Sequence, residues 1–293
     1  MFRGSYTALV TPFRDGVIDV PAFERLIERQ IAGGITGIVA IGTTGESPTL
    51  SHDERQQVIR LAVETAKGRC QVLAGTGSYS TSEAIAATQS AQKMGVDGAL
   101  IVAPYYNKPS QEGLFRHFTA IARATGLPIM LYNIPGRCGI DISANTVERL
   151  AAACANIVSI KEASGSVDRV AELFGRMPDA FTILSGDDGL TLPFMALGAV
   201  GVVSVASNLL PAEIAELVRA IADGDLNKAR RLHRRLAQLF KDLFIEPNPV
   251  PVKTALAWRG EMSNEVRLPL CEMSAANEAR LRSTLEAFES SSL

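Results

Sequence analysis

Lys161 stands directly after the apolar run Ile157-Val158-Ser159-Ile160, and it alone of the seven lysines ends a run of that kind. A lysine at the mouth of a packed element must be paired, hydrated or neutral, because an isolated ammonium is costly to bury. An unperturbed amine, with a pKa near 10.4, is almost wholly protonated at neutral pH. Lowering that value by about three units costs roughly 4 kcal/mol and frees a nucleophile that can form a Schiff base with a keto compound. An ion pair with the adjacent Glu162 is the other reading, and position alone leaves both open. Tyr132 closes a second apolar run, Ile129–Tyr132, where a phenol can move protons for such an amine or simply fill the rim. Thr43 and Thr44 lie in the turn Gly42-Thr43-Thr44-Gly45, whose free N–H groups can hold a carboxylate; a bare tight turn fits as well. Arg137 offers a bidentate clamp for a second carboxylate, or a solvated cation.

Other chemistries find less support. His52, His117 and His233 are far apart and fall in predicted helices, so no His pair has metal spacing. Gly75-x-Gly77 lacks its third glycine, and neither a phosphate-binding G-x-x-x-x-G-K-[ST] loop nor a G-x-S-x-G elbow occurs. Asp187-Asp188 has no third carboxylate placed beside it and reads as a solvated loop. The 29 basic and 31 acidic side chains leave a net charge of −2, without the basic field that draws nucleic acid. Cys70, Cys138, Cys154 and Cys271 are scattered in a way that suits free thiols in a reducing compartment. No apolar run approaches the roughly 18 residues of a membrane helix, and the N-terminus has no signal-peptide core. A cytoplasmic location without a membrane partner is expected.

Eight short apolar runs alternate with amphipathic segments. The predicted strands are Tyr6–Val10, Gly37–Ile41, Gln71–Ala74, Ala99–Ala103, Ile129–Tyr132, Ile157–Ile160, Phe181–Leu184 and Gly201–Ser204. Their Val, Ile and Leu content suits strands buried on both faces. Between them the 3.6-residue period predicts helices over Pro21–Ile31, from Ser51, and over Ser82–Met94, Gln111–Thr125, Ala144–Ala153, Val167–Arg176, Gly189–Leu197 and Ala212–Ala222. Ser51 with Glu54 forms the pattern of a capping box. Eight strand–helix units at this spacing predict an α/β fold, a closed (β/α)8 TIM barrel over residues 1–224; a doubly wound open sheet is the alternative. Residues 225–293 are expected to add three helices, Leu226–Phe244, Val252–Trp258 and Ala275–Phe288. A barrel of this kind carries its chemistry at the C-terminal strand ends, where Lys161, Tyr132, Thr43, Thr44 and Arg137 all fall.

Taken together, Gly42-Thr43-Thr44-Gly45-Glu46-Ser47, Pro104-Tyr105-Tyr106-Asn107, Tyr132-Asn133-Ile134-Pro135-Gly136-Arg137, Ile160-Lys161-Glu162-Ala163, Ser185-Gly186-Asp187-Asp188 and Glu246-Pro247-Asn248-Pro249-Val250-Pro251-Val252-Lys253 resemble the dihydrodipicolinate synthase family in order and nearly without gaps. The resemblance implies a pyruvate-dependent class I aldolase of lysine and diaminopimelate biosynthesis. No cofactor is implied: pyruvate condenses with Lys161, and the enamine attacks aspartate-4-semialdehyde. Tyr132 then becomes the proton donor and acceptor, with Thr43 and Tyr106 completing a relay and Tyr106 reaching a neighbouring subunit. Thr44 holds the pyruvate carboxylate, Arg137 that of the semialdehyde, and Gly186 and Val203 line the pyruvate pocket, Val203 standing where the family often has Ile. A homotetramer, a dimer of dimers, is implied.

In family members that respond to lysine, a dimer-interface site corresponds here to Ser47, Pro48, His52, Arg55, Tyr79, Glu83 and Tyr105. Ser47, His52, Glu83 and Tyr105 match that pattern; Pro48 replaces a small residue, Arg55 a His and Tyr79 an Asn. The cation at Arg55 predicts weak or absent lysine inhibition. Competing readings on the same scaffold are N-acetylneuraminate lyase and keto-deoxy-sugar aldolases, from which Thr43-Thr44 and Arg137 set this chain apart. A reading from another class is a non-catalytic small-molecule-binding barrel.

Overall fold

A computed structural model describes residues 2–290. Eight parallel strands close into a barrel: β1 (Gly4–Ala8), β2 (Gly37–Ala40), β3 (Gln71–Gly75), β4 (Gly98–Val102), β5 (Ile129–Asn133), β6 (Ile157–Glu162), β7 (Thr182–Ser185) and β8 (Gly201–Ser204). Each strand pairs with its successor, and β8 closes on β1 through Gly4 to Thr7 against Gly201 to Ser204. The helices are α1 (Val20–Ala32), α2 (His52–Ala66), α3 (Thr81–Lys93), α4 (Gln111–Arg123), α5 (Ala144–Ala153), α6 (Val167–Arg176), α7 (Thr191–Ala196) and α8 (Pro211–Ala222). The open-sheet alternative is thereby excluded.

Two apolar layers account for the Val- and Ile-rich strands. Inward-facing Phe2, Tyr6, Val39, Leu73, Leu100, Met130 and Leu184 fill the barrel, with Val203 and Tyr132 in the same cluster. Outward-facing residues such as Ile38, Ile101, Leu131 and Ile160 join the larger core beneath the helices. A strand buried on both faces has no polar side to alternate with, so continuous apolar runs are what this barrel requires. The predicted box at Ser51 forms in full: Ser51 Oγ accepts from Glu54 N, and Glu54 Oε2 accepts from Ser51 N at 2.8 Å.

The differences from expectation have local causes. β1 ends at Ala8 because the Val10 N–H turns out of the ladder to Asn208 Oδ1, 3.1 Å away. The segment predicted as a helix over Gly189–Leu197 begins with a 3-10 turn at Asp188–Leu190, capped by Asp187 Oδ1 on Gly189 N, and α7 starts only at Thr191. Two-residue strands at Phe13–Arg14 and Val17–Ile18 form a hairpin around Asp15-Gly16, both with positive φ. Asp-Gly is a hairpin signal, but strands this short show no period. A short helix at Pro135–Cys138 follows β5 and was likewise not expected.

Beyond the barrel lie α9 (Leu226–Asp242), α10 (Val250–Trp258) and α11 (Ala275–Ser290). α9 packs on α8 and α11, and α10 on α11 and the Ala206–Asn208 turn. The proline-rich link before α10 brings Asn248 and Lys253 against the turn after β2.

Candidate active site

Lys161 is carried inside β6, not at its end, because the strand continues through Glu162. A bulge decides its direction. Ile129 pairs with Ile157, but the next residue, Met130, pairs with Ser159, so one residue of β6 is taken up and Tyr132 comes level with Lys161 instead of Ile160. A one-residue change of register reverses the face of every side chain beyond it. Here it turns Lys161 into the barrel, with its Nζ 4.2 Å from the centre of the Tyr132 ring. Both side chains are buried.

Burial pushes the Lys161 amine down to about 8, opposed by the negative charge of Asp188 and assisted by Arg137. Desolvation penalises the charged form, which for an amine favours the free base. The same burial raises the Tyr132 phenol well above its ordinary value, moderated by Arg137 and by a hydrogen bond with Thr43. The arrangement couples a partly neutral amine to a phenol that keeps its proton.

Glu162, the ion-pair partner that sequence position left open, faces the other way. It accepts two bonds of 3.1 Å from Asn133 Nδ2 and one of 2.8 Å from Ser164 N, and it pairs with Arg169 at 3.4 Å. The expectation of a solvated loop at Asp187-Asp188 is corrected for Asp188. Its side chain is buried under the barrel rim, where Oδ2 accepts from Val205 N and Ala206 N, both at 3.0 Å. Burial raises its carboxyl, held back by a hydrogen bond with Ser204 and by these two amides. Sequence reasoning missed this group because acidic pairs after a strand are usually hydrated, and nothing local announces burial.

Gly186 lies against the lysine stem: a Cβ there would stand 3.0 Å from Lys161 Cε and 2.6 Å from Ala163 Cβ. Only a residue without a side chain leaves that approach open. Val203 is buried in the barrel interior. In the turn after β2, internal bonds run from the N–H groups of Gly45, Glu46 and Ser47 to carbonyls of Gly42 and Thr43. The amides of Thr43 and Thr44 make none of these bonds, and Thr44 is buried while Thr43 is half-buried. Glu46, with φ +54, turns back to pair with Lys253 at 2.6 Å, both side chains fully buried.

Thr43 and Arg137 open onto a cavity of about 530 Å³. Ser47, Pro48, His52, Arg55, Tyr79, Glu83 and Tyr105, scattered over 59 positions, line its other wall. Arg55 donates to Ser47 O at 2.9 Å, and the Tyr79 and Tyr105 rings meet edge to face with centroids 5.3 Å apart. Tyr106 stays outside. It is 90% exposed on a backbone with φ +70 and reaches none of these groups within its own chain. Among the described residues no group of three His, Cys, Asp or Glu side chains converges in a way that could hold a metal ion.

A closed (β/α)8 barrel with a desolvated amine beside a phenol at the C-terminal end of its strands defines a class, the barrels equipped for carbonyl chemistry at a lysine. The model of the dihydrodipicolinate synthetase family matches residues 1–288. A 4-hydroxy-tetrahydrodipicolinate synthase from Hydrogenobaculum sp. (strain Y04AAS1) is 53% identical over 98% of this chain and 99% of its own length. The solved 4-hydroxy-tetrahydrodipicolinate synthase from Methylacidiphilum fumariolicum SolV superposes with a TM-score of 0.98 at 57% identity, covering 99% of this chain and 96% of that one. The synthase from Cyanidioschyzon merolae, solved with lysine bound, gives a TM-score of 0.96 at 45% identity and 98% coverage of both chains. The chain belongs to the dihydrodipicolinate synthetase family.

Proposed function

We propose that this enzyme condenses pyruvate with L-aspartate-4-semialdehyde to give 4-hydroxy-tetrahydrodipicolinate, and that Lys161 is its nucleophile. The observation that carries the reading is the amine itself: buried, brought down to about 8, and set over the Tyr132 ring. About a tenth of such an amine is neutral at pH 7, against less than about a thousandth for an ordinary lysine. Nζ attacks the pyruvate carbonyl carbon, the carbonyl oxygen takes up protons and leaves as water, and an iminium remains. The methyl group gives up a proton to form the enamine, whose carbon bonds to the aldehyde carbon while the aldehyde oxygen is protonated. The acceptor's own amine then attacks the iminium carbon, closes the ring and returns the amine of Lys161.

Tyr132 is the group positioned to move these protons, supported by its burial and its hydrogen bond with Thr43. Thr44, with its amide outside the bonds of the turn, suits the pyruvate carboxylate. Arg137, at the cavity mouth, suits that of the semialdehyde. No cofactor enters this sequence of steps. The exposure of Tyr106 supports its use in the site of a neighbouring copy, and a cytoplasmic homotetramer accords with that reading. The bond from Arg55 to Ser47 O in the cavity lining supports the reading of a cation there that repels a lysine ammonium, so half-inhibition is expected only at millimolar lysine or above, as measured in steady-state assays.

Borohydride reduction in the presence of pyruvate, followed by peptide mass mapping, tests the mechanism. A reduced pyruvyl adduct on Lys161, with turnover of the semialdehyde, is the expected result. An unlabelled Lys161 ends this reading, and turnover of sugar aldehydes alone reassigns the acceptor.

A further inference from the structure

Thr44 and Asn248 are distant in sequence, yet their side chains meet beside the barrel mouth. Asn248 Nδ2 donates to Thr44 Oγ1 at 2.9 Å, and both residues are buried. A hydroxyl has one proton and two lone pairs. Once Thr44 Oγ1 accepts from the amide, its own proton must point elsewhere, and no acceptor for it is found among the described residues. The other end of the amide is unsatisfied: Asn248 Oδ1 is buried without a hydrogen-bond partner there. Asn248 is therefore not placed to complete its own bonding, and the donor it presents to Thr44 is the bond it keeps.

Its surroundings hold that direction. Val250 N reaches Pro247 O and Lys253 N reaches Pro249 O, both at 3.0 Å, so the link is turned tightly on either side of the amide. The same turn after β2 is gripped twice more, by Lys253 on Glu46 Oε1 at 2.6 Å and by Arg267 N on Glu46 Oε2 at 3.0 Å. With those two bonds tying the C-terminal extension to the turn, the Asn248 contact is not needed as an anchor.

We propose that Asn248 is a positioning residue for the keto acid: it aims the Thr44 hydroxyl proton at the substrate carboxylate, so that the C-terminal extension completes the pyruvate site. The proposal rests on the reading of Thr44 as the holder of that carboxylate. A hydroxyl already committed as an acceptor presents its proton to an incoming anion without first having to reorient, and preorganisation of this kind favours binding.

Borohydride trapping at graded pyruvate concentrations, on the full-length enzyme, supplies the test. Asn248→Ala and Thr44→Val are each expected to raise the half-saturating pyruvate concentration about tenfold, the scale of one hydrogen bond to a charged group. The double variant is expected to stay within about twofold of Thr44→Val, and the KM for the semialdehyde within about twofold throughout. If Asn248→Ala does not fold, Asn248→Asp keeps the shape and repeats the cycle; its added charge persists in the Thr44→Val background and is thereby separated. Normal pyruvate dependence in the Asn248 variants, or an equal effect in both backgrounds, overturns the proposal while leaving Thr44 in its role. Normal pyruvate dependence in Thr44→Val removes Thr44 from the carboxylate site and this proposal with it.

Discussion

Lys161 weakens the fold by the same desolvation that favours its neutral amine. The unfolded chain binds the lysine proton up to the ordinary 10.5 and the folded chain only up to about 8, so between those values the folded state is the proton-poor one. Stability therefore rises with pH across that window; the penalty is whole below about 8 and gone above 10.5. Lys161→Met is expected to stabilise the protein by about 3 kcal/mol at pH 7, with the gain shrinking to little at pH 10.5, as measured by denaturant unfolding at several pH values. In the proposed mechanism the same ionisation governs reactivity. The rate of adduct formation with pyruvate is expected to rise with pH and level off near 8. In Asp188→Asn the midpoint is expected to move to lower pH, because a negative charge that favours the ammonium has been removed. An unmoved midpoint would show that Asp188 does not act on the amine.

At the level of elements, the decisive features are a bulge and a clamp. Lys161 was legible as the polar end of an apolar run, yet the run alone points it nowhere. The irregularity between β5 and β6 sets it beside Tyr132, and bulges leave little trace in composition. The clamp is the Lys253–Glu46 pair, both side chains fully buried. Burial lowers the Lys253 amine and Glu46 raises it again. Lys253→Met leaves Glu46 with a buried charge and no counter-ion, and a loss of about 3–5 kcal/mol is expected. Adding Glu46→Gln is expected to return part of that loss, a comparison that denaturant melts resolve. The hairpin at Asp15-Gly16 and the short helix after β5 escaped the sequence for a simpler reason, since two to four residues are too few to display a period.

For the whole molecule, the question is what completes the site. Tyr106 is 90% exposed and held at φ +70, an unusual backbone for a tyrosine. If a neighbouring copy receives it, two inactive variants complement each other. In a mixed dimer of Tyr106→Phe and Lys161→Ala, one site has an intact lysine and receives an intact tyrosine, and the other has neither. Random pairing of equal amounts is then expected to restore about a quarter of wild-type turnover, because half the dimers are mixed and each has one working site. No recovery on co-refolding would place Tyr106 outside the shared site.

The amino-acid sequence by itself determined the barrel and the residue types around its mouth. Eight apolar runs at regular spacing admit few other closures, and chemistry at strand ends follows from that topology. It also put Thr43, Thr44, Tyr132, Arg137 and Lys161 at the C-terminal ends of strands. Tertiary structure decided which faces meet. The bulge chose Tyr132 over other partners for Lys161, packing buried Asp188 where a hydrated loop was expected, and the C-terminal extension delivered Asn248 to Thr44. The physical reason is common to all three. Periodicity is a property of the nearest few residues, whereas register, desolvation and contact between distant segments depend on atoms that only the closed barrel brings together.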